Sequence, residues 1–174
     1  MDSAKLITED LIRFQDSLPK SGDAELLLLK SHLLIEGILT TWISNHCEDS
    51  KALDNARLSF YQRVHLAKAL RPGDGDWLWD SLLKLNSARN CLAHRLSKDQ
   101  LEKKIDSFVT EFKSCHPIPE PEFDGMRAQG FTDLHTCCFV LFAVLSGLTH
   151  CHVADEGSAN AEQGEDTKPD NVPS

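Results

Sequence analysis

The stretch DAELLLLKSHLLIEGILTTWISNHC, residues 23–47, decides the fold class. Asp23 can cap a helix at its start, because its carboxylate can accept from the free N–H groups of the first turn. Behind it, Leu26 to Leu29, Leu33, Leu34, Ile35, Ile38, Leu39, Trp42 and Ile43 cover nearly the whole circumference of a helix. A helix that is apolar nearly all round belongs at the centre of a bundle. Its polar interruptions include His32, Glu36 and Thr40, spaced four apart and so roughly in one row. That row reads either as a solvent stripe or as a polar row facing a functional cleft.

Helical spacing recurs on both sides, and no β-alternation of useful length is present. Residues 4–18 bring Leu6, Ile7, Leu11, Phe14 and Leu18 near one face, and Pro19 to Gly22 read as a turn. A third helix is expected from about Leu53 to Leu70, stopped by Arg71-Pro72-Gly73-Asp74-Gly75. Asp76 then caps a fourth, whose buried stripe is Leu78, Leu82, Leu85, Leu92 and Leu96. Ser97-Lys98-Asp99-Gln100 has the form of a capping box, so a fifth helix should run from about Lys98 to Lys113. His116 to Pro121, with three prolines, reads as an extended connector. Thr132 or Asp133 can start a last helix through about Cys151. No internal repeat is visible. The expectation is an all-α bundle of five to six helices over residues 1–152.

The chain has 174 residues, enough for one domain with a real core. No basic stretch precedes an apolar run, so no secretory signal is visible. The longest strongly apolar segment lies within Leu134–Leu148, short of the roughly 20 residues that span a bilayer, so no membrane association is expected. Six cysteines without a secretory signal read as reduced thiols of a cytoplasmic protein. The formal charge of −9 excludes a generally basic nucleic-acid coat, but it is unevenly spread. Residues 153–174 hold six acids against Lys168 and no aromatic residue, the composition of a disordered acidic tail. Residues 51–104 hold eleven Lys or Arg against six acids, a locally basic region that can attract a phosphate chain.

Two residues of the fourth helix invite chemistry. Arg89 stands where heptad spacing would continue the leucine stripe, and a guanidinium there is costly unless it is paired or opens into a wet cleft. His94 follows in the last turn, where the negative end of a helix favours an imidazolium and suits acid–base work. On an ideal helix the two lie about 140° apart, so they converge only if the helix distorts, Arg89 reaches around, or two copies meet. Other chemistries are poorly supported. His46-Cys47, Cys115-His116, Cys137-Cys138 and His150-Cys151-His152 lack the paired spacing of a zinc site, so no metal is expected. Cys91 reads as a packing residue and not as a nucleophile, since reactivity would need a depressed pKa. Gly73 and Gly75 lack the Lys-Ser/Thr continuation of a phosphate loop. Trp77 and Trp79 could stack on bases but more often anchor a core.

The string Leu85-Asn86-Ser87-Ala88-Arg89-Asn90-Cys91-Leu92-Ala93-His94 resembles the signature of the HEPN superfamily (higher eukaryotes and prokaryotes nucleotide-binding domain): Arg, a polar residue, three more residues, then His. Arg89, Asn90 and His94 match position by position, and the resemblance covers about residues 23–112. The apolar second helix and the amphipathic helix from Arg57 to Leu70 also resemble the mannitol operon repressor-like branch. The resemblance implies a HEPN-like bundle that forms a homodimer and brings two Arg/His motifs into one cleft. It implies an endoribonuclease that needs no metal or cofactor, of the kind found as a toxin with an antitoxin partner or in phage defence. Arg89 would hold the scissile phosphate, and His94 would exchange a proton with the 2′-hydroxyl or the leaving oxygen. Asn90, with Glu36 and Arg95, would position the RNA. The products would be a 2′,3′-cyclic phosphate and a 5′-hydroxyl. The repressor-like branch implies the alternative, a non-catalytic regulator or interaction module that binds a protein or nucleic acid.

Overall fold

The computed structural model describes residues 2–20, 22–71, 76–93, 97–115 and 119–159. Among them are eight helices and no strand: α1 (Ser3–Ser17), α2 (Ala24–Asn45), α3 (Ser50–Asn55), α4 (Phe60–Leu70), α5 (Asp76–Ala93), α6 (Lys98–Cys115), α7 (Glu120–Ala128) and α8 (Asp133–Ala159). The fold is an all-α bundle.

α2 is its axis, with α1 and α8 against one side and α4 and α5 against the other. α6 packs on α5 and α8, and α7 on α8. Asp23 caps α2 as its sequence suggests, accepting from Leu26 N–H at 3.0 Å. Leu27, Leu28, Ile35, Leu39, Trp42 and Ile43 are buried. They meet Phe14 of α1, Val64 of α4, Leu82 and Leu85 of α5, and Leu141, Phe142 and Leu145 of α8 in one core. Phe14 stacks on Phe142 with ring centroids 4.3 Å apart, fixing α1 against α8. The turn after α1 is pinned by His135 of α8, whose Nε2 donates to Pro19 O at 3.1 Å while Nδ1 accepts from Thr132 N–H at 3.2 Å. At the other end of α8, Asp10 of α1 accepts from Ser146 Oγ at 3.1 Å and His150 Nε2 at 2.9 Å.

Several boundaries differ from the sequence expectation. The third helix is two elements, because Arg57 adopts φ 48, a left-handed conformation that ends α3. Ser59 then restarts the chain with a complete capping box: Gln62 N–H donates to Ser59 Oγ at 3.3 Å and Ser59 N–H to Gln62 Oε1 at 2.9 Å. The expected box at Ser97 is half made, with Ser97 N–H donating to Gln100 Oε1 at 3.3 Å. The proline-rich connector is shorter than expected. Pro119 is the N-cap of α7 and Pro121 lies in its first turn, where a missing N–H costs nothing. Residues 116–118 of that connector lie outside the described residues. α7 ends in a Schellman motif, with Phe131 N–H on Met126 O at 3.1 Å and Gly130 N–H on Arg127 O at 2.9 Å, and it is this turn that needs the positive φ of Gly130. α8 continues to Ala159, past the boundary expected at residue 152. The rest of the acidic tail lies outside the described residues.

Among the described residues two helices, α2 and Asp133–Cys151 of α8, are long and apolar enough to cross a bilayer, although the longest apolar run in the sequence falls short of that length. Both are core helices here, with 50% and 56% of their apolar windows buried in the bundle. A helix enclosed by other helices meets the same length and hydropathy test as a membrane span.

Around α7 the bundle is closed by ions. Arg127 donates to both oxygens of Asp133 at 2.7 Å and to Asp124 at 2.7 Å, and Lys113 of α6 reaches Asp133 at 2.6 Å. The Arg127 and Lys113 hydrogen bonds hold the Asp133 carboxyl below the usual carboxylate range against the opposing effect of burial. Lys113 also sits 4.4 Å over the ring of Phe123.

Candidate functional site

α5 presents two faces. Leu78, Trp79, Leu82, Leu85, Ala88 and Cys91 are buried, while Asn86, Arg89 and Asn90, one turn apart, form a half-buried polar group. Leu92 is only half-buried, so the expected leucine stripe weakens toward the end of the helix. There a cleft of about 480 Å³ opens between α5 and the first turns of α2, lined by Asp23, Glu25, Leu26, Leu29, Arg89, Leu92 and Ala93.

Arg89 is the cation of this cleft. Its Nη1 donates to Asn90 Oδ1 at 3.4 Å, and no carboxylate among the described residues forms an ion pair with it. Asp23 is engaged as the α2 cap, and Glu25 is exposed on the rim. Of the two readings open for a guanidinium on an apolar stripe, the geometry is that of the wet cleft. A half-buried guanidinium without a carboxylate keeps its fork of donors available to an oxyanion. His94 and Arg95 lie outside the described residues; Ala93, the residue before them, lines the cleft.

The row of His32, Glu36 and Thr40 is neither a solvent stripe nor a wall of that cleft. It is a seam between helices. His32 is 3% exposed, and its Nε2 lies 3.1 Å from Asn86 Oδ1 of α5. Its ring packs on Phe60 of α4, with centroids 4.2 Å apart. Its Nδ1 is buried with no hydrogen bond, 4.0 Å from Glu36 Oε2. Glu36 in turn lies 3.9 Å from Arg63 Nη1, and Arg63 Nε donates to Thr40 Oγ1 at 2.9 Å while its Nη1 donates to Leu58 O. Burial holds the His32 imidazole below its usual range, and the Arg89 charge adds to this, against the raising effects of Asn86 and Glu36.

The structure therefore brings Arg89 and Asn90 together, and it connects Glu36 to them only through His32 and Asn86. Asn86 is the residue that sequence reasoning passed over, and His32 was legible only as a member of the polar row of α2. The signal for Asn86 was its place three and four residues before Arg89 and Asn90. Nothing in the sequence marks His32 as its partner from 54 positions away.

The remaining candidates are occupied elsewhere. Trp79 is buried, and Trp77 packs edge-on against Phe112 at 6.1 Å. Cys91 donates to Ser87 O at 3.4 Å. Burial pushes the Cys137 and Cys138 thiols upward in the core of α8, which leaves them inert. Ser146 and His150 both donate to one oxygen of Asp10, so they form no nucleophile–base pair. Among the described residues no three metal-ligating side chains converge.

One face of α2 is uncovered. Leu26, Leu29 and Leu33 are 39%, 38% and 56% exposed, at helical spacing on one side, so the central helix is not enclosed all round as its composition suggests. Leu26 and Leu29 also line the Arg89 cleft, which makes cleft and leucine stripe one continuous surface. No family model, curated protein or solved structure matches the chain.

Proposed function

We propose that this protein is an endoribonuclease of HEPN type that acts as a homodimer in the cytoplasm, with Arg89 and His94 at its centre. The observation that carries the reading is Arg89: a guanidinium at an open cleft, oriented by the neutral side chain of Asn90 and without a carboxylate partner among the described residues. Such a group binds a phosphodiester and offsets charge that develops on its oxygens during attack by the 2′-hydroxyl. His94 supplies proton transfer, and the bond between phosphorus and the 5′-oxygen breaks as the cyclic phosphate closes. The leucine stripe of α2 beside the cleft supports dimerisation, because contiguous exposed leucines mark an interaction surface.

The test is RNA cleavage in EDTA by the purified protein beside Arg89→Ala and His94→Ala. Cleavage by wild type alone, with cyclic-phosphate ends, supports the reading. Intact RNA with all three proteins folded overturns it. The same leucine stripe favours a second reading in that event, a non-catalytic helical module that docks a regulatory partner such as an antitoxin.

A further inference from the structure

His32 is a buried titratable group that this mechanism leaves unused. Its Nε2 faces an amide oxygen, so Nε2 carries a proton and donates to Asn86 Oδ1. In the neutral ring Nδ1 then holds a lone pair. That lone pair is buried, receives no hydrogen bond, and faces the Glu36 carboxylate at 4.0 Å. A buried acceptor opposite a carboxylate is an unfavourable arrangement. One proton on Nδ1 converts it into a charge-assisted contact.

Burial weighs most against that proton, and the surrounding charges shift the balance from there. Glu36 on the same helix favours it. Arg63 of α4 stands behind Glu36 at 3.9 Å and shares its charge. Arg89 of α5 opposes it. On α8 the Cys138 thiol interacts with Ser31, the residue before His32, and burial pushes it up to about 12 and so keeps it neutral. α1 and α3 present no ionic group to the ring among the described residues. His94 and Arg95 lie outside the described residues. Of these charges, Arg89 is the one at an open cleft, where a ligand can cancel it.

We propose that His32 is a positioning residue of the Arg89 cleft, which takes a proton from solvent onto Nδ1 when an oxyanion occupies the guanidinium and then closes on Glu36. Nε2 keeps its proton and its bond to Asn86 throughout, so once the site is filled the ring is fixed at both nitrogens, by Glu36 of its own helix and by Asn86 of α5. Anion binding and His32 protonation are thereby linked, each favouring the other by the same factor. This rests on the proposed use of Arg89 to bind phosphodiesters and adds a residue that never touches the ligand.

The experiment titrates the full-length protein with a short oligothymidylate, an uncleavable phosphodiester that does not itself titrate near neutrality. Affinity is measured between about pH 5.5 and about pH 7.5, and calorimetry in two buffers of different ionisation enthalpy reads proton uptake. Wild type should take up protons on binding in the lower part of that range, and the uptake should fade toward its upper end. The nitrogen spectrum of His32 should show Nδ1 protonating on addition of the oligonucleotide. His32→Gln should bind with no such uptake, while His94→Ala should retain it. Binding by wild type without proton uptake overturns the proposal and leaves the phosphodiester site intact, as does uptake that persists in His32→Gln or vanishes in His94→Ala. If wild type binds no oligonucleotide at any pH, the use of Arg89 fails and this proposal fails with it. The His32 spectrum is read on wild type, so the test stands even if the variant does not fold.

Discussion

His32 Nε2 and Asn86 Oδ1, 54 residues apart in the chain and 3.1 Å apart in space, join the central helix of the bundle to the helix that carries Arg89. The contact places a buried imidazole against the side chain one turn before Arg89 on that helix. It also makes α2 and α5 one unit, so changes on either helix are felt in the cleft between them.

Truncating Asn86 should therefore cost more than a surface amide. Asn86→Ala leaves Nε2–H of His32 buried without an acceptor, and destabilisation of about 1–3 kcal/mol is expected. His32→Phe with Asn86→Ala should cost less than the two single changes summed, because neither partner is then left unmet. Urea denaturation of the four proteins measures the coupling. Strict additivity would show that the contact carries no net stabilisation.

Arg89→Ala should behave in the opposite way. With no carboxylate left behind, its stability should stay within about 1 kcal/mol of wild type, against roughly 3–5 kcal/mol for breaking a buried ion pair. RNA cleavage should be abolished. A melting temperature many degrees lower would mean that Arg89 is structural.

The α2 stripe can be tested without disturbing the core. Leu29→Lys with Leu33→Lys replaces exposed side chains, so thermal stability of the monomer should change by no more than about 0.5 kcal/mol per site. Sedimentation should show wild type as the proposed dimer and the variant as a monomer, and RNA cleavage should fall with it. An unaltered dimer would move the interface to another face.

Strong acid should loosen the α6–α7–α8 corner. Lys113 and Arg127 hold the Asp133 carboxyl below its usual range, so the folded state binds its proton less readily than the unfolded chain. That contribution is complete above the ordinary carboxylate range near pH 4 and is lost as pH falls through the depressed folded value. Asp133→Asn should flatten the acid limb of a stability–pH profile below about pH 4 while lowering stability at neutrality. A parallel profile for the variant would count against the linkage.

His32 adds a second, higher window. Its imidazole is held below the unfolded value, so the unfolded chain binds more protons between the folded value and about pH 6.5. In the absence of anion, stability should rise with pH across that window and level off above it. His32→Gln should remove this slope, and an oligonucleotide should reduce it in wild type. Denaturation at closely spaced pH values between about 5 and 7 checks both.

Much of this was legible along the chain, because the relevant physics is local. The apolar circumference of 23–47 marked the axis of the bundle, Asp23 its cap, and the interruption of the α5 stripe marked Arg89. Capping and amphipathicity depend on residues three or four apart, which the sequence displays directly. The split between α3 and α4 was also written there, in Ser59 and Gln62 three residues apart, inside the span expected as one helix. What the tertiary structure alone decided is which faces were covered. Composition could not tell that Leu26, Leu29 and Leu33 stay exposed while the polar row of His32, Glu36 and Thr40 turns inward. Nor could it tell that Arg89 opens into a cleft without a carboxylate partner among the described residues while Arg63 is taken by Glu36, Thr40 and Leu58. The physical reason is that burial and charge pairing depend on what a second helix brings to the same point, and that helix can come from anywhere in the chain.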